Sequence, residues 1–581
     1  MLMEDNFVQN IFFSPSKKET KTHDRIDKAK KGWDKTQQDT AERMAKARGF
    51  AKPGTKIVDE ADCVALLEAV LRSGDKVNIE GDNQKQADFL AACLAKVDPS
   101  KVNNLHMVQS SLALQDHLNV FKKGIASKLD FCYSGPVAAD LANMVTQGKI
   151  SIGAIHTYVE LYARTYLDLK PKVALVAANA ADKYGNLYTG FNTEETPTVV
   201  EATKFRDGIV IAQVNEIVDK VPRVDIPGDW VDFVIPTTEP FYIEPLFTRD
   251  PAHITESQIF IGMMALMGIY SAYDIKALNH GIGFNTAAVE LLLPTFGEEM
   301  GLKGKICSHW ALNPHPTLIP AIESGWVDTI MPFGSEVGME NYIMSKPDIF
   351  PVGPDGTMRS NRVMGQLAGH YAIDAFFGST LQIDQYGNSA AAVAGRIPGF
   401  GGAPNMACNA PGRKHATPGW LKASREDGMR KDLIGPIDRG RKLVIQMVET
   451  FGEGMAPVFV EKLDAFELQK QANFPIPPIM VYADNITHIV TEEGIAYVHK
   501  CKTLKERMDA IKAVAGYTTL GLAADDSATN KLRKEGIVAL PEDLNLSFND
   551  AKRSKLSAKS IADLVKWSGG LYDAPPRFRN W

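Results

Sequence analysis

The sequence predicts an α/β fold made of two tandem domains with mostly parallel sheets and flanking helices. Three observations carry this. One pentapeptide pattern occurs twice, as Asp182-Lys183-Tyr184-Gly185-Asn186 and Asp384-Gln385-Tyr386-Gly387-Asn388, about 200 residues apart and each just beyond a strand-like run, VALVAANA and STLQI. Short β-rich runs alternate with helical stretches, the pattern of a sheet covered on both faces. A chain of 581 residues with 45% hydrophobic content can bury large cores and should divide into at least two domains.

The repeated pattern makes sense as a turn. Asp bonds its own backbone, Gly takes a positive φ and Asn tolerates the left-handed region, so D-x-Y-G-N closes a tight turn as the chain leaves a strand. Two unrelated turns of similar chemistry are the alternative. Against it, upstream of each copy a helix-like stretch ends at a glycine, Gly148 and Gly325, and a β-branched strand start follows.

The elements follow in order. Residues 1–45 form an extension in which lysines mix with Glu19, Asp24, Asp27, Asp34, Asp39 and Glu42, unlike an acid-poor mitochondrial transit peptide. A first domain over 46–235 alternates KVNIEGDN, a helix from Gln84, VNNLHMV, KLDFCYSG, a helix from Pro136, KVALVAANA and DGIVIAQVN. A Pro- and acid-rich stretch, VPRVDIPGDWVDFVIPTTEPFYIEP, reads as the connection, with the linker proper at 236–255. The second domain, 256–520, opens on a helix around Ile259 and continues through DIKALNHGIG, GKICSHWA, WVDTIMPFG, STLQIDQYGN, RKLVIQMV and ITHIVTEEGIAYV. Residues 521–581 are a helical, polar extension ending in LYDAPPRFRNW, whose aromatic and arginine side chains either anchor partner subunits or dock on the chain itself.

Composition narrows the function. A net charge of −6 gives no nucleic-acid footprint. Six scattered cysteines without C-x-x-C point to cytoplasmic thiols, and neither they nor the twelve histidines have metal-ligand spacing, so no metal is expected. The most apolar stretch, Ile259 to Ala272, is too short to span a bilayer and reads as a buried helix.

Ligands of open α/β sheets bind at the carboxyl ends of strands, so the chemistry belongs in the loops there. Two loops stand out. In Phe333-Gly334-Ser335-Glu336-Val337-Gly338 a glutamate sits between glycines directly after the strand VDTIM, placed to serve as a nucleophile on an acyl carbon, as a general base, or only as a turn residue. In Pro398-Gly399-Phe400-Gly401-Gly402-Ala403-Pro404-Asn405, three glycines can leave backbone amides converging on an oxyanion; the other reading is a plain surface loop. No Walker, G-x-S-x-G or H-E-x-x-H motif occurs.

The turns DKYGNLYTG and DQYGN, the Gly-Phe-Gly-Gly loop, IVIAQVNEIVDKVPRV and ITHIVTEEGIAYV together resemble the glutamate-dependent coenzyme A transferases and acyl-CoA hydrolases, whose folds are tandem α/β domains. More closely, IEGDNQKQADFLA, FCYSGPVAADLA and GLYDAPPRFRNW are similar to the α subunits of bacterial malonate decarboxylases, and this resemblance runs from about Lys46 to Trp581. It implies an acyl-carrier-protein transferase that converts acetyl-S-carrier plus malonate into malonyl-S-carrier plus acetate. It also implies Glu336 as nucleophile, passing through a mixed anhydride and a glutamyl thioester, with the Gly399, Gly401 and Gly402 amides holding the oxyanion and Asn405 as a polar contact. The residues after Glu336 depart from the familiar transferase pattern, which makes Glu340, beside Asn341, a competitor. No cofactor is expected on this chain; the thiol implied is a phosphoribosyl-dephospho-CoA group on a separate acyl carrier protein, and decarboxylase subunits are implied partners. A free-standing acetate-type CoA transferase or acyl-CoA hydrolase would use the same fold, and a non-catalytic scaffold is the third reading.

Overall fold

The computed structural model describes residues 35–82, 85–408, 422, 441–552 and 555–579. In the first sheet the parallel strands stand in the spatial order Phe233–Pro236, Ile209–Ile217, Val173–Ala181, Lys76–Ile79, Leu105–Leu112, Ala126–Ser134 and Ser151–Ile155, with Leu187–Tyr188 antiparallel on Val173–Ala181. In the second, Thr329–Met331, His309–Ala311, Ala277–His280, Ala375–Gly378, Leu443–Met447 and His488–Thr491 run parallel, and Gly494–Ala496 and Val538–Ala539 extend the edge antiparallel. Numbered by their sequence within each unit, and setting aside the extra edge strand Ser151–Ile155, both sheets read 3-2-1-4-5-6, the doubly wound order. The chain therefore repeats one topology. Helices cover both faces, which is why central strands such as Val173–Ala181 are buried along almost their whole length and read as apolar runs without alternation.

The two pentapeptide turns are the same structure. Asp182 Oδ1 accepts from the Tyr184 and Asn186 amides at 2.9 and 3.1 Å, while Oδ2 accepts from Asn186 Nδ2 at 2.8 Å. Asp384 repeats this with Tyr386 and Asn388 at 2.9 Å throughout. Gly185 and Gly387 take φ of 85° and 91°, which a side chain would strain. Each asparagine also accepts from a distant amide, Asn186 Oδ1 from Gly228 and Asn388 Oδ1 from Ala483, so the turn pins a later loop of its own unit.

Several expectations need correction. Gly148 and Gly325 both end helices with positive φ, but Gly148 precedes the extra edge strand; by strand order the partner of Gly325 is Gly124, ahead of Ala126–Ser134. Residues Lys85–Gln86 pair with Gly81–Asp82, and the helix expected from Gln84 begins at Asp88. The connecting stretch contains a true strand, Phe233–Pro236, at the edge of the first sheet. The chain's ends join the cores: residues 35–47 are helical, with Arg43 bonded to the Val70 carbonyl and Asp75, and Val538–Ala539 completes the second sheet. Residues Ile259 to Ala272 are helical and largely buried, and among the described residues no helix is long and apolar enough to cross a membrane.

Because each turn aspartate accepts three hydrogen bonds, Asp182→Ala and Asp384→Ala should each cost about 1–3 kcal/mol. Urea unfolding followed by circular dichroism measures this; two variants as stable as the parent would contradict the turn's structural role.

Candidate active site

The doubly wound order places a crevice between strands 1 and 4 of each unit. The two crevices differ. In the first, the Glu80 amide donates to the Leu175 carbonyl; in the second, Gly281 donates to Phe377, the residue at the same distance before its turn aspartate. Glu80 fills its crevice: its carboxylate accepts from the Ala177 amide at 2.8 Å and pairs with Lys85 at 3.1 Å, both side chains fully buried, with Thr196 bonded to each. Glycine at position 281 leaves the second crevice open, and a cavity of ≈ 230 Å³ lies there, walled by Asn279 to Ile282, Gly378, Ser379, Phe247, Phe333, Arg362 and the glycine loop.

The glycine loop reaches this cavity from the second unit and is held by the first. Pro398 O accepts from the Ser134 amide at 2.6 Å, and Cys132 O accepts from the Phe400 and Gly401 amides at 2.6 and 2.8 Å. A Cβ at Gly399 would meet Cys132 O at 2.4 Å, so this approach requires glycine. Gly399, Gly401 and Gly402 all line the cavity, but the Gly401 amide is spent on Cys132, which removes one of the three expected oxyanion donors. Asn405 is also corrected: its Nδ2 donates to Gln366 O at 2.8 Å, and it is not among the residues lining the cavity.

Glu336 lies in the loop after Thr329–Met331, and two segments fix that loop. From the first unit, Asn192 Oδ1 accepts from the Ser335 amide at 2.8 Å, and Glu194 packs so closely that a Cβ on Gly334 would fall 1.6 Å from its Oε1. Glu194 pairs with buried Arg362 at 2.7 Å. From the connecting stretch, Thr248 donates its amide and hydroxyl to Glu336 Oε1 at 3.0 and 2.8 Å. Among the described residues Glu336 Oε2 is buried without a hydrogen-bond partner, and the residue is 0% exposed. Burial pushes its carboxyl up to about 8, against the opposing pull of the Thr248 hydroxyl, the Phe247 amide and the Arg249 charge. Leu246, Phe247 and Phe333 line the cavity, whereas Glu336 itself is not among its lining residues.

Glu340 occupies a different place, at the first position of the helix Glu340–Met344. Burial raises its carboxyl too, while its own amide and that of Gly338 act as counterweights. The C-terminal tail closes this side: Asp573 donates its amide to Gly338 O at 2.8 Å, Tyr572 is 1% exposed beside Thr248, and Arg577 pairs with Glu244 at 2.9 Å. Of the two readings of the tail, its described part docks on this chain; Trp581 lies outside the described residues.

A buried polar network adjoins the cavity. Glu290 Oε1 meets His280 Nδ1 at 2.8 Å and His315 Nδ1 at 2.9 Å, and Tyr270 OH meets His280 Nε2 at 2.6 Å. Burial works against the Glu290 charge, yet the two histidines hold this carboxyl down at about 2. Burial pushes the His280 ring down, against the opposing pull of its hydrogen bond to Glu290.

In the sequence Glu336, Glu340, Asn405 and the glycines stand out, whereas Thr248, Asn192, Glu194, Arg362 and this network do not. The run Gly190-Phe191-Asn192-Thr193-Glu194-Glu195-Thr196 did carry a signal, being a polar segment directly after the first repeated turn with no counterpart after the second. Thr248 and the histidines gave none, since their partners are far away in sequence.

The elevated Glu336 carboxyl has a stability consequence. Its folded value, about 8, exceeds the reference 4.5, so its contribution is complete below pH 4.5 and is lost as pH rises through 8. Glu336→Gln, which cannot ionise, should therefore gain in melting temperature relative to the parent between about pH 5 and 9. A difference independent of pH would contradict the burial assigned to this carboxyl.

Comparison with known proteins agrees with this architecture. Residues 32–581 match the family described as "Malonate decarboxylase, alpha subunit, transporter". A Malonomonas rubra protein named acetyl-S-ACP:malonate ACP transferase is 61% identical over 551 residues, covering 95% of this chain and 99% of the relative. In a crystal structure of a Pseudomonas malonate decarboxylase hetero-tetramer in complex with malonate, one chain is 54% identical, with a TM-score of 0.91, 95% of this chain covered and 100% of that one. The α subunit of citrate lyase from Streptococcus mutans, at 16% identity, TM-score 0.57 and coverage of 82% and 85%, shares the fold alone. With the family match over almost its entire length and relatives at this identity, the chain belongs to the malonate decarboxylase α-subunit family.

Proposed function

We propose that this chain is the carrier-transferase subunit of a malonate decarboxylase, exchanging acetyl-S-carrier and malonate for malonyl-S-carrier and acetate through Glu336. The observation that carries the reading is a fully buried glutamate in the loop after a strand, with one oxygen fixed by Thr248 and the other, among the described residues, without a hydrogen-bond partner, close in sequence to Phe333, which lines the cavity as do the Leu246 and Phe247 that precede Thr248. Burial makes an ionised Glu336 energetic, and an under-solvated carboxylate is a stronger nucleophile than one in water.

The exchange balances in four steps. Ionised Glu336 adds to the acetyl carbonyl, the C–S bond breaks, and the carrier thiolate leaves an acetyl-glutamyl anhydride. The thiolate then attacks the glutamyl carbonyl and expels acetate, giving a glutamyl thioester. A malonate carboxylate attacks this thioester and releases the thiolate, which finally takes the malonyl group and restores the Glu336 carboxylate. Thioester energy is conserved. Each addition develops charge on a carbonyl oxygen, and the Gly399 and Gly402 amides at the cavity are the donors proposed for it, with Gly401 fixing the loop through Cys132 and Asn405 through Gln366.

The thiol belongs to the carrier, whose prosthetic group is proposed to be phosphoribosyl-dephospho-CoA; the ≈ 230 Å³ cavity suits the acyl end of such a thioester. Acyl carrier protein and decarboxylase subunits are the proposed partners. The subunit is proposed to work in the cytoplasm, where its free cysteines remain thiols.

In the assembled complex, Glu336→Gln should lower carrier transfer by about four orders of magnitude or more, since an amide forms no anhydride, while Glu340→Gln should retain most of it. Near-parental turnover by Glu336→Gln would remove Glu336 from the reaction. Full activity on free CoA thioesters without carrier would instead favour a free-standing transferase.

A further inference from the structure

Glu336 is held between two segments that have no regular structure of their own. Residues 237–250, which carry Thr248, and residues 332–339, which carry Glu336, contain neither helix nor strand. A reacting carboxyl must stay within about 0.5 Å of its working place, and segments without a backbone ladder need outside support for that. The end of the chain supplies it to both.

On the Glu336 loop, Gly338 takes a φ of 84° and its carbonyl accepts from the Asp573 amide at 2.8 Å. A Cβ at Gly338 would run into Asp573 O, so the tail reaches this loop only past a glycine. On the other segment, Arg577 pairs with Glu244 at 2.9 Å and donates to Pro245 O at 3.3 Å. Tyr572, next to Asp573, is 1% exposed and brings its hydroxyl to 3.5 Å from Thr248 Oγ1. The tail is itself anchored: Tyr572 and Ala574 belong to the core of the second unit with Met339 and Tyr342, and the Tyr572 amide donates to Ser568 Oγ at 2.9 Å.

The hydroxyl protons have one consistent order. Thr248 has a single hydroxyl proton, and an ionised Glu336 can only accept, so Thr248 gives that proton to Oε1 and its own oxygen is left to accept. Tyr572 is the hydroxyl beside it. Burial, with the Glu336, Asp573 and Glu340 charges near it, pushes the phenol up against the pull of Thr248, so Tyr572 keeps a proton to donate. The contact is long, and it acts by fixing the direction of the Thr248 hydroxyl more than by its own strength. Two O–H dipoles then point towards Oε1. Oε2, without a hydrogen-bond partner among the described residues, is left as the oxygen that attacks.

We infer that the C-terminal tail is a positioning element of the transfer site, in which Asp573 and Arg577 hold the two segments and Tyr572 orients the Thr248 hydroxyl on Glu336. This rests on the transfer proposed at Glu336. No residue of the tail lines the cavity, so the tail acts through Thr248 and Gly338.

The test uses the full chain in its assembled complex with the carrier and follows malonate-dependent release of acetate. Tyr572→Phe keeps the ring and removes the hydroxyl. It should lower kcat about tenfold, leave the KM for malonate within about twofold, and move the acidic limb of the rate profile to higher pH, because an ionised Glu336 loses part of its support. The Arg249 charge, which also favours ionised Glu336, is untouched by this change, so the shift reports the hydroxyl. Should this variant fail to fold, Arg577→Ala, at an exposed side chain, supplies the comparison: kcat should fall with the malonate KM and the melting temperature little changed. Parental kcat and pH profile in Tyr572→Phe, parental kcat in Arg577→Ala, or a loss of kcat matched by a loss of melting temperature with an unmoved pH profile would overturn the inference. Glu336→Gln separates the two claims. If it is inactive while the tail variants are parental, the tail inference alone fails; if it turns over near the parental rate, the transfer reading fails and the tail inference with it.

Discussion

The buried ion pair between Glu194 and Arg362 is the contact on which the geometry of the site depends. It joins the two units with both side chains buried, where removing one partner would cost about 3–5 kcal/mol by stranding the other charge. The Glu194 carboxylate takes the room a side chain at position 334 would need, which sets the path of the loop bearing Glu336. Arg362 in turn lies 4.9 Å from the ring centre of Tyr158, and the Tyr158 amide donates to Gly401 O, so the same pair supports the glycine loop. Both reactive loops are thus referenced to one residue of the first unit.

This explains why a duplicated topology carries one open crevice. Both units keep the strand order and the aspartate turn, but the first fills its switch point with Glu80, Lys85 and Thr196, and Thr196 closes the short segment whose Asn192 and Glu194 reach across to the second unit. The second unit keeps Gly281 and the space beside it. One copy has become support and the other site, and the seam between them is where the carboxyl of Glu336 is held at about 8.

Much of the fold was legible in the sequence because its signals are local. The aspartate turns, the apolar runs of the buried strands and the glycine that ends a helix all depend on neighbours a few residues away, and Glu336 was visible as an acid between glycines after a strand. What supports Glu336 was not legible, because Thr248 is 88 residues distant and sits in a stretch whose prolines and acids read as a linker. The same limit hid the Glu290 network and the use of the Gly401 amide by Cys132, a hydrogen bond that depends on how the two units dock. Ala375–Gly378 does not stand out as a strand because the more β-like run STLQI is its continuation past a break into the smaller sheet of Gln382–Asp384.

The central claim is covalent attachment of the acyl-transfer intermediate to Glu336, and trapping reads it directly. The assembled complex is incubated with acetyl-S-carrier without malonate, treated with borohydride, digested and analysed by mass spectrometry. Reduction of a glutamyl thioester at Glu336, absent when acetyl-S-carrier is omitted, is the predicted result; modification at Glu340, or of no carboxylate at all, would contradict the account.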